Sequence, residues 1–261
     1  MSNILFARPR HDYGSYADFY RLIELSGYPL VYFDEIDTAS DNCYIMTMIN
    51  GENHTPERWQ DARARLILWD LEYHIDAPPR LPNVEVWAAD AWYAAQIGAR
   101  YVPMGSHPGL KLETEYPVDV PYDAAYLGYM IPRRQDIWAQ MKQRGLRLTP
   151  TSAWGRERHG LLIQSTCYVH VHQHGHIPAM PPLRLVVAAA YSLPYISETV
   201  IDAGVFGYTH FMQSDFAHVA EFVQMWACDA NNRQRLNDYG RALHDLLCRD
   251  LTFRRSVEAS L

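Results

Sequence analysis

Residues 166–198, TCYVHVHQHGHIPAMPPLRLVVAAAYSLPYISE, hold a strand, a loop, a helix and a second strand in immediate succession. The β-branched and aromatic run Cys167–Val171 leads into His170, His172 and His174, spaced by two. A His- and Pro-rich loop follows, then Leu183–Arg184, a small-residue helix through Ala190, and a second apolar strand, Leu193–Ser197. Two short apolar strands joined by one helix spell a parallel crossover. An open parallel sheet binds ligands beyond the carboxyl ends of its strands, beside the N-termini of the helices that follow. This stretch supplies both features and places Arg184 in the first turn of the helix.

The same grammar runs through the rest of the chain. Asn3–Ala7 reads as a buried strand, and Ser15 as the N-cap of an amphipathic helix that Gly27 stops. Leu30–Phe33, Tyr44–Ile49, Leu66–Trp69, Val84–Ala88 and Tyr101–Met104 read as further strands. Helices are expected to start at Thr55–Pro56 and Asp90. Gly105–Tyr122, rich in Pro, Gly and charge, carries neither period and reads as a linker. The pattern restarts with a strand at Ala124–Leu127, a helix at Gln135–Gln143, a strand at Leu146–Leu148 and a helix at Gly155–Gln164. Two long helices, Asp215–Trp226 and Asn232–Leu247, close the chain. The expected class is α/β: two Rossmann-like domains facing a cleft, residues 1–105 and 123–261, with linker 106–122 and C-terminal helices.

With 261 residues, 48% hydrophobic and 20% charged, the chain has material for a large core and little for wholesale disorder. Its net charge of −7 argues against gripping nucleic acid over a broad basic face. The four cysteines form no CxxC pair and read as reduced thiols of a cytoplasmic protein. No apolar stretch approaches a membrane span, and the N-terminal apolar run is too short for a signal peptide.

Several segments could carry chemistry. In the turn Gly128-Tyr129-Met130-Ile131-Pro132-Arg133-Arg134, a glycine lets backbone approach a ligand and two arginines complement a pyrophosphate. It is not a GxGxxG fingerprint, so a dinucleotide cofactor of the usual kind is not expected. Trp154, followed by Arg156, could stack a base at a helix start, or be a half-buried surface residue. Alternating histidines share one face about 7 Å apart. Without an acidic partner or an HExxH, they suit a polar pocket wall better than a zinc site. In the first half, His11, Asp12, Asp70, Glu72 and His74 follow strands and are the available general bases. Asp90 reads as a helix cap. GxSxG, Walker A and Cys–His arrangements are absent, which disfavours hydrolase, phosphotransferase and thiol-enzyme readings.

Three phrases, AAYLGYMIPRR, LRLVVAAAYSLPYISE and YVPMGSHPG, resemble the GT-B glycosyltransferases, in particular the CgeB-like and group 1 transferases. The resemblance spans about Tyr101–Glu198. It implies that Gly128 with Arg133 or Arg134 borders a donor diphosphate, that Arg184 lies beside it, and that Ser197–Glu198 lie at the cleft edge. Tyr129, Trp154, Arg156, His172 and His174 complete the expected donor side. Val187 stands where many relatives carry a ribose-binding glutamate, and Ser192 where they carry glycine.

The resulting expectation is a Leloir glycosyltransferase moving a sugar, a hexose first, from a nucleotide-diphosphate donor, UDP-linked first, to a hydroxyl acceptor. The resemblance implies that neither metal nor other cofactor is needed. His11 or Asp12, then Glu72, would be the base if the enzyme inverts. The alternatives are a non-catalytic nucleotide-sugar-binding protein on the same frame, and a glycosyltransferase of modified DNA bases, with nucleic acid as acceptor only.

Overall fold

The computed structural model describes residues 3–10, 16–47, 59–71, 81, 83–112, 120–126, 128–151, 153, 155–176, 178–179, 181–202, 204–206 and 210–261. Six parallel strands form the first sheet: β1 (Ile4–Arg8), β2 (Leu30–Tyr32), β3 (Cys43–Thr47), β4 (Arg65–Asp70), β5 (Val84–Ala88) and β6 (Arg100–Tyr101). Their order is β2-β1-β3-β4-β5-β6. Strands buried on both faces read as continuous apolar runs, and the two-residue period then divides them. Phe6, Ile45, Ile67 and Trp69 enter one core, while Ala7, Tyr44, Met46, Leu66 and Leu68 enter the other. On the first face lies α1 (Ala17–Leu25), whose Phe19, Leu22 and Ile23 are buried; Gly27, at φ 78°, ends its turn. The expected N-cap at Ser15 and the helix start at Thr55–Pro56 lie outside the described residues. Asp90 is the cap it was expected to be, accepting the Tyr93 N–H at 2.8 Å at the start of α2 (Ala91–Ile97).

The second sheet has the parallel order β7 (Tyr168–His170), β8 (Tyr195–Glu198), β9 (Met212–Ser214). Single parallel bridges, Ala125 to Tyr168 and Ala124 to Leu148, extend it into the two stretches expected as strands. Helices α3 (Pro132–Gln143), α4 (Gly155–Ile163), α5 (Pro182–Ala190), α6 (Val219–Cys228) and α7 (Ala230–Asp245) accompany it. The sequence reading missed β9, and it began α6 too early: Asp215 caps a 3-10 turn, Phe216–His218, that precedes the helix.

The expected linker is not loose where it is described. Ser106 Oγ donates to the Val186 carbonyl at 2.8 Å, Pro108–Leu110 form a 3-10 turn, and Leu110 is fully buried. The apolar interior runs from the first sheet through Leu110 to Leu185–Ala190 of α5, so the two halves share one core.

A last helix, α8 (Phe253–Glu258), was not foreseen, and it returns to the first sheet. Phe253 packs on Phe6, Phe19 and Trp69 with ring centroids 5.7–5.9 Å apart. Gly105 lies against this return; a Cβ there would run into the Leu251 carbonyl oxygen. Among the described residues no helix is long and apolar enough to cross a membrane.

Candidate functional site

The carboxyl ends of the second sheet gather the cationic residues. Pro182 opens α5 with a φ already suited to the helix, and this sets Arg184 in the first turn. Its guanidinium lies against Gly128, where a Cβ would come within 2.9 Å of Nη2, and over the Tyr126 ring at 5.6 Å. A side chain at 128 would push the ends of Arg184 and Tyr126 aside, so glycine permits the approach as it stands. Arg184 Nη1 donates to His170 Nδ1 at 3.4 Å. Among the described residues no carboxylate pairs with Arg184.

Two further arginines come from the start of α3. Arg134, 5% exposed, donates from Nε to the Val171 carbonyl at 3.0 Å and from Nη1 to the Tyr129 carbonyl at 3.1 Å. Burial, then the Arg184 charge, pushes its pKa below the ordinary arginine value. Arg133 instead forms a bidentate pair with Glu198, Nη1 to Oε2 at 2.9 Å, and its guanidinium carbon lies 3.7 Å from the Phe216 ring centroid. Glu198 Oε2 also accepts the His172 N–H at 3.1 Å. Such a pair, with planar fork and carboxylate both largely dry, holds α3 to β8.

His170 and His172 are buried and in edge contact, with centroids 5.2 Å apart. Burial first, then neighbouring positive charge and each other's presence, holds His170 well below the usual histidine range. Burial likewise lowers His172. The strand ends at His170, and His174, four residues on, lies beside His176 with ring centroids 5.6 Å apart. Among the described residues no group of three acidic, histidine or cysteine side chains is placed to hold a metal ion.

A second polar cluster joins the two halves. Asp18, 3% exposed in the first turn of α1, pairs with Arg158 of α4 and accepts from His159 Nε2 at 2.8 Å. His159 Nδ1 meets the Tyr191 hydroxyl, which accepts the Leu112 N–H at 3.0 Å. Arg21 donates to the Gly109 carbonyl at 3.1 Å. Asp18, Arg158, His159 and Tyr191 were not singled out as site residues by sequence. A signal was available in α4, where Arg158, His159 and Leu162 share one helical face.

Of the residues expected at the site, Gly128, Arg134, His172 and Arg184 come together, with Arg133 and Glu198 engaged with each other alongside. Tyr129 is 75% exposed at the rim. Arg156 is exposed, on the outer side of α4. Ser197 is fully buried and donates to the Glu198 carbonyl at 2.7 Å, so its hydroxyl is spent within the strand. His11, Asp12, Glu72, His74 and Trp154 lie outside the described residues. Asp70, buried at the end of β4, accepts from the Tyr93 hydroxyl at 3.0 Å. Val187 is 5% exposed within the shared core, an environment that would charge heavily against an acid. Ser192 holds φ 52°, the left-handed conformation that glycine adopts freely.

No family model matches the chain, and no curated protein does. Solved structures do. Anabaena Alr3699/HepE, in complex with UDP and glucose, superposes at a TM-score of 0.61 with 11% identity, over 100% of this chain and 99% of that one. AviGT4, a glycosyltransferase involved in avilamycin A biosynthesis, gives 0.58 and 13%, over 99% and 96%. The DNA-modifying enzyme β-glucosyltransferase gives 0.52 and 12%, over 99% and 97%. Two parallel sheets, helices that follow their strands, and matches that span nearly the whole of each partner lead to one conclusion: this chain has the GT-B glycosyltransferase fold.

Proposed function

We propose that the protein is a Leloir glycosyltransferase, with residues 123–261 binding a nucleotide-diphosphate sugar and residues 1–105 presenting the hydroxyl acceptor, in the cytoplasm. The carrying observation is Arg184, a cation without a carboxylate partner among the described residues, laid on glycine backbone at a strand end and helix start. Sugar transfer breaks the bond between the anomeric carbon and the phosphate oxygen, whose electron pair stays on the departing diphosphate. Arg184, Arg134 and the first turns of α3 and α5 would stabilise that charge. UDP is the first choice of nucleotide and a hexose the first choice of sugar; structures of HepE and of T4 phage β-glucosyltransferase hold UDP with glucose and UDP-glucose. An inverting course would draw its base from His11, Asp12 or Glu72, and the CgeB-like and group 1 transferases are the proposed kin. Calorimetric titration with UDP- and GDP-sugars, with donor hydrolysis followed in parallel, tests the reading. Binding with turnover supports it; no binding of any nucleotide sugar sinks it.

One observation favours a second reading. With Val187 at the position of the ribose-binding acid, Glu198 is the acid left at the cleft edge to take its place, and it is held by Arg133 and the His172 backbone N–H. A nucleotide-sugar-binding protein without transfer would show binding and no turnover on any acceptor. The likeness to a DNA-modifying enzyme keeps modified DNA bases among the acceptors to assay, and binding of labelled DNA that falls with salt would single them out.

A further inference from the structure

Building on the donor-site reading, we propose that His170 and His172 are positioning residues, a hydrogen-bond relay that aims the Arg184 guanidinium at a donor phosphate. The relay can be polarised in one direction only. The Thr199 carbonyl only accepts, so His172 Nε2, 2.9 Å away, carries the proton. His172 Nδ1 is then the acceptor for His170 Nε2, at 3.3 Å. His170 Nδ1 is left without a proton, and it faces Arg184 Nη1, which only donates, at 3.4 Å. A carbonyl at one end and a guanidinium at the other fix both rings as neutral Nε2–H tautomers.

Each ring is also held in place. The His170 ring lies 6.3 Å from Tyr195 at 21°, and the backbone N–H of His172 donates to Glu198, which anchors the residue that carries the second ring. Burial of both rings among arginines opposes protonation and keeps the relay in its one competent form. Arg184 therefore receives a hydrogen bond acceptor without a counter-charge, so its direction is set while its full charge stays available to an anion. A carboxylate at position 170 would orient it as well and neutralise it. The alternating histidines thus act one step back from the ligand.

The test has two arms. In the ligand-free protein, ring nitrogen-15 NMR should show His170 and His172 both as Nε2–H tautomers at pH 7; an Nδ1–H tautomer at His170 overturns the relay whatever the protein binds. In the second arm UDP is titrated calorimetrically into wild type, His170→Phe and His170→Asn. Phenylalanine keeps the ring on Tyr195 and removes the acceptor, and UDP affinity should fall about tenfold, the order of one charge-assisted hydrogen bond. Asparagine can place an oxygen where Nδ1 stood and should recover most of that loss. Folding of each variant is checked by its melting curve. Wild-type binding that His170→Phe leaves unchanged overturns the relay alone. A wild type that binds neither UDP nor GDP overturns the donor reading and the phosphate role with it, while the NMR pattern still reports on the relay.

Discussion

His159 gives a stability prediction with a sign and a size. The ring is 2% exposed between α1 and the linker. Burial, then the Arg158 and Arg21 charges, pushes its pKa from 6.5 down to about 4. Asp18 does not reverse this, because its carboxylate already answers Arg158. In the folded protein the neutral ring donates to Asp18 and accepts from Tyr191, and a second ring proton would face a hydroxyl that now donates. Unfolding releases the ring to take up a proton near 6.5. Between that pH and about 4 the unfolded state binds more protons, so this contribution is complete above 6.5 and drains away as the pH falls. At about 1.4 kcal/mol per pH unit, the loss is at most about 3 kcal/mol. Urea unfolding of wild type and His159→Leu between pH 7.5 and 4 isolates it. The variant should be less stable throughout, because Asp18 and Tyr191 lose a partner, and the gap should narrow on acidification by up to about 3 kcal/mol. A gap that stays constant or widens, or a His159 resonance titrating near 6.5 in the folded protein, would refute the reasoning.

Arg184→Ala should leave the melting temperature close to wild type and weaken UDP binding by about tenfold or more in calorimetry; unchanged affinity removes Arg184 from the site. Phe253→Ala should destabilise the protein by about 3–5 kcal/mol in denaturant unfolding, as for a fully buried ring, because it empties the contact with Phe6, Phe19 and Trp69. Ser192→Gly should raise stability by about 0.5–1 kcal/mol by relieving the left-handed backbone, and a loss would show that the serine side chain matters more than φ. Glu198→Gln leaves Arg133 without its charge partner and should cost about 3–5 kcal/mol in unfolding.

The strand–helix alternation was legible because its cause is local. Apolar runs of four to six residues and helix-period stripes lie in contiguous sequence, and so do the Asp90 cap and the Gly27 stop. Even the departure from glycine at Ser192 marked a real peculiarity, a positive φ. The short β9, Met212–Ser214, escaped notice because three residues carry no period. Helix α8 escaped for a different reason: its value lies in Phe253 reaching rings more than 180 positions earlier.

The sequence by itself therefore determined the class of fold, the strand-end glycine at Gly128 and the helix-start arginine at Arg184, since each follows from neighbours along the chain. Which charges are free was decided only in three dimensions. Arg133 and Arg134 are adjacent and equivalent as sequence, yet Arg133 is paired with Glu198 while Arg134 binds backbone carbonyls. His170 and His172 read in sequence only as a polar pocket wall, yet in the fold they bond each other and end on the Thr199 carbonyl and on Arg184. Burial and pairing depend on what the second half of the chain and the returning C-terminus bring alongside, and these partners lie 14 to 141 positions apart in the contacts that matter most.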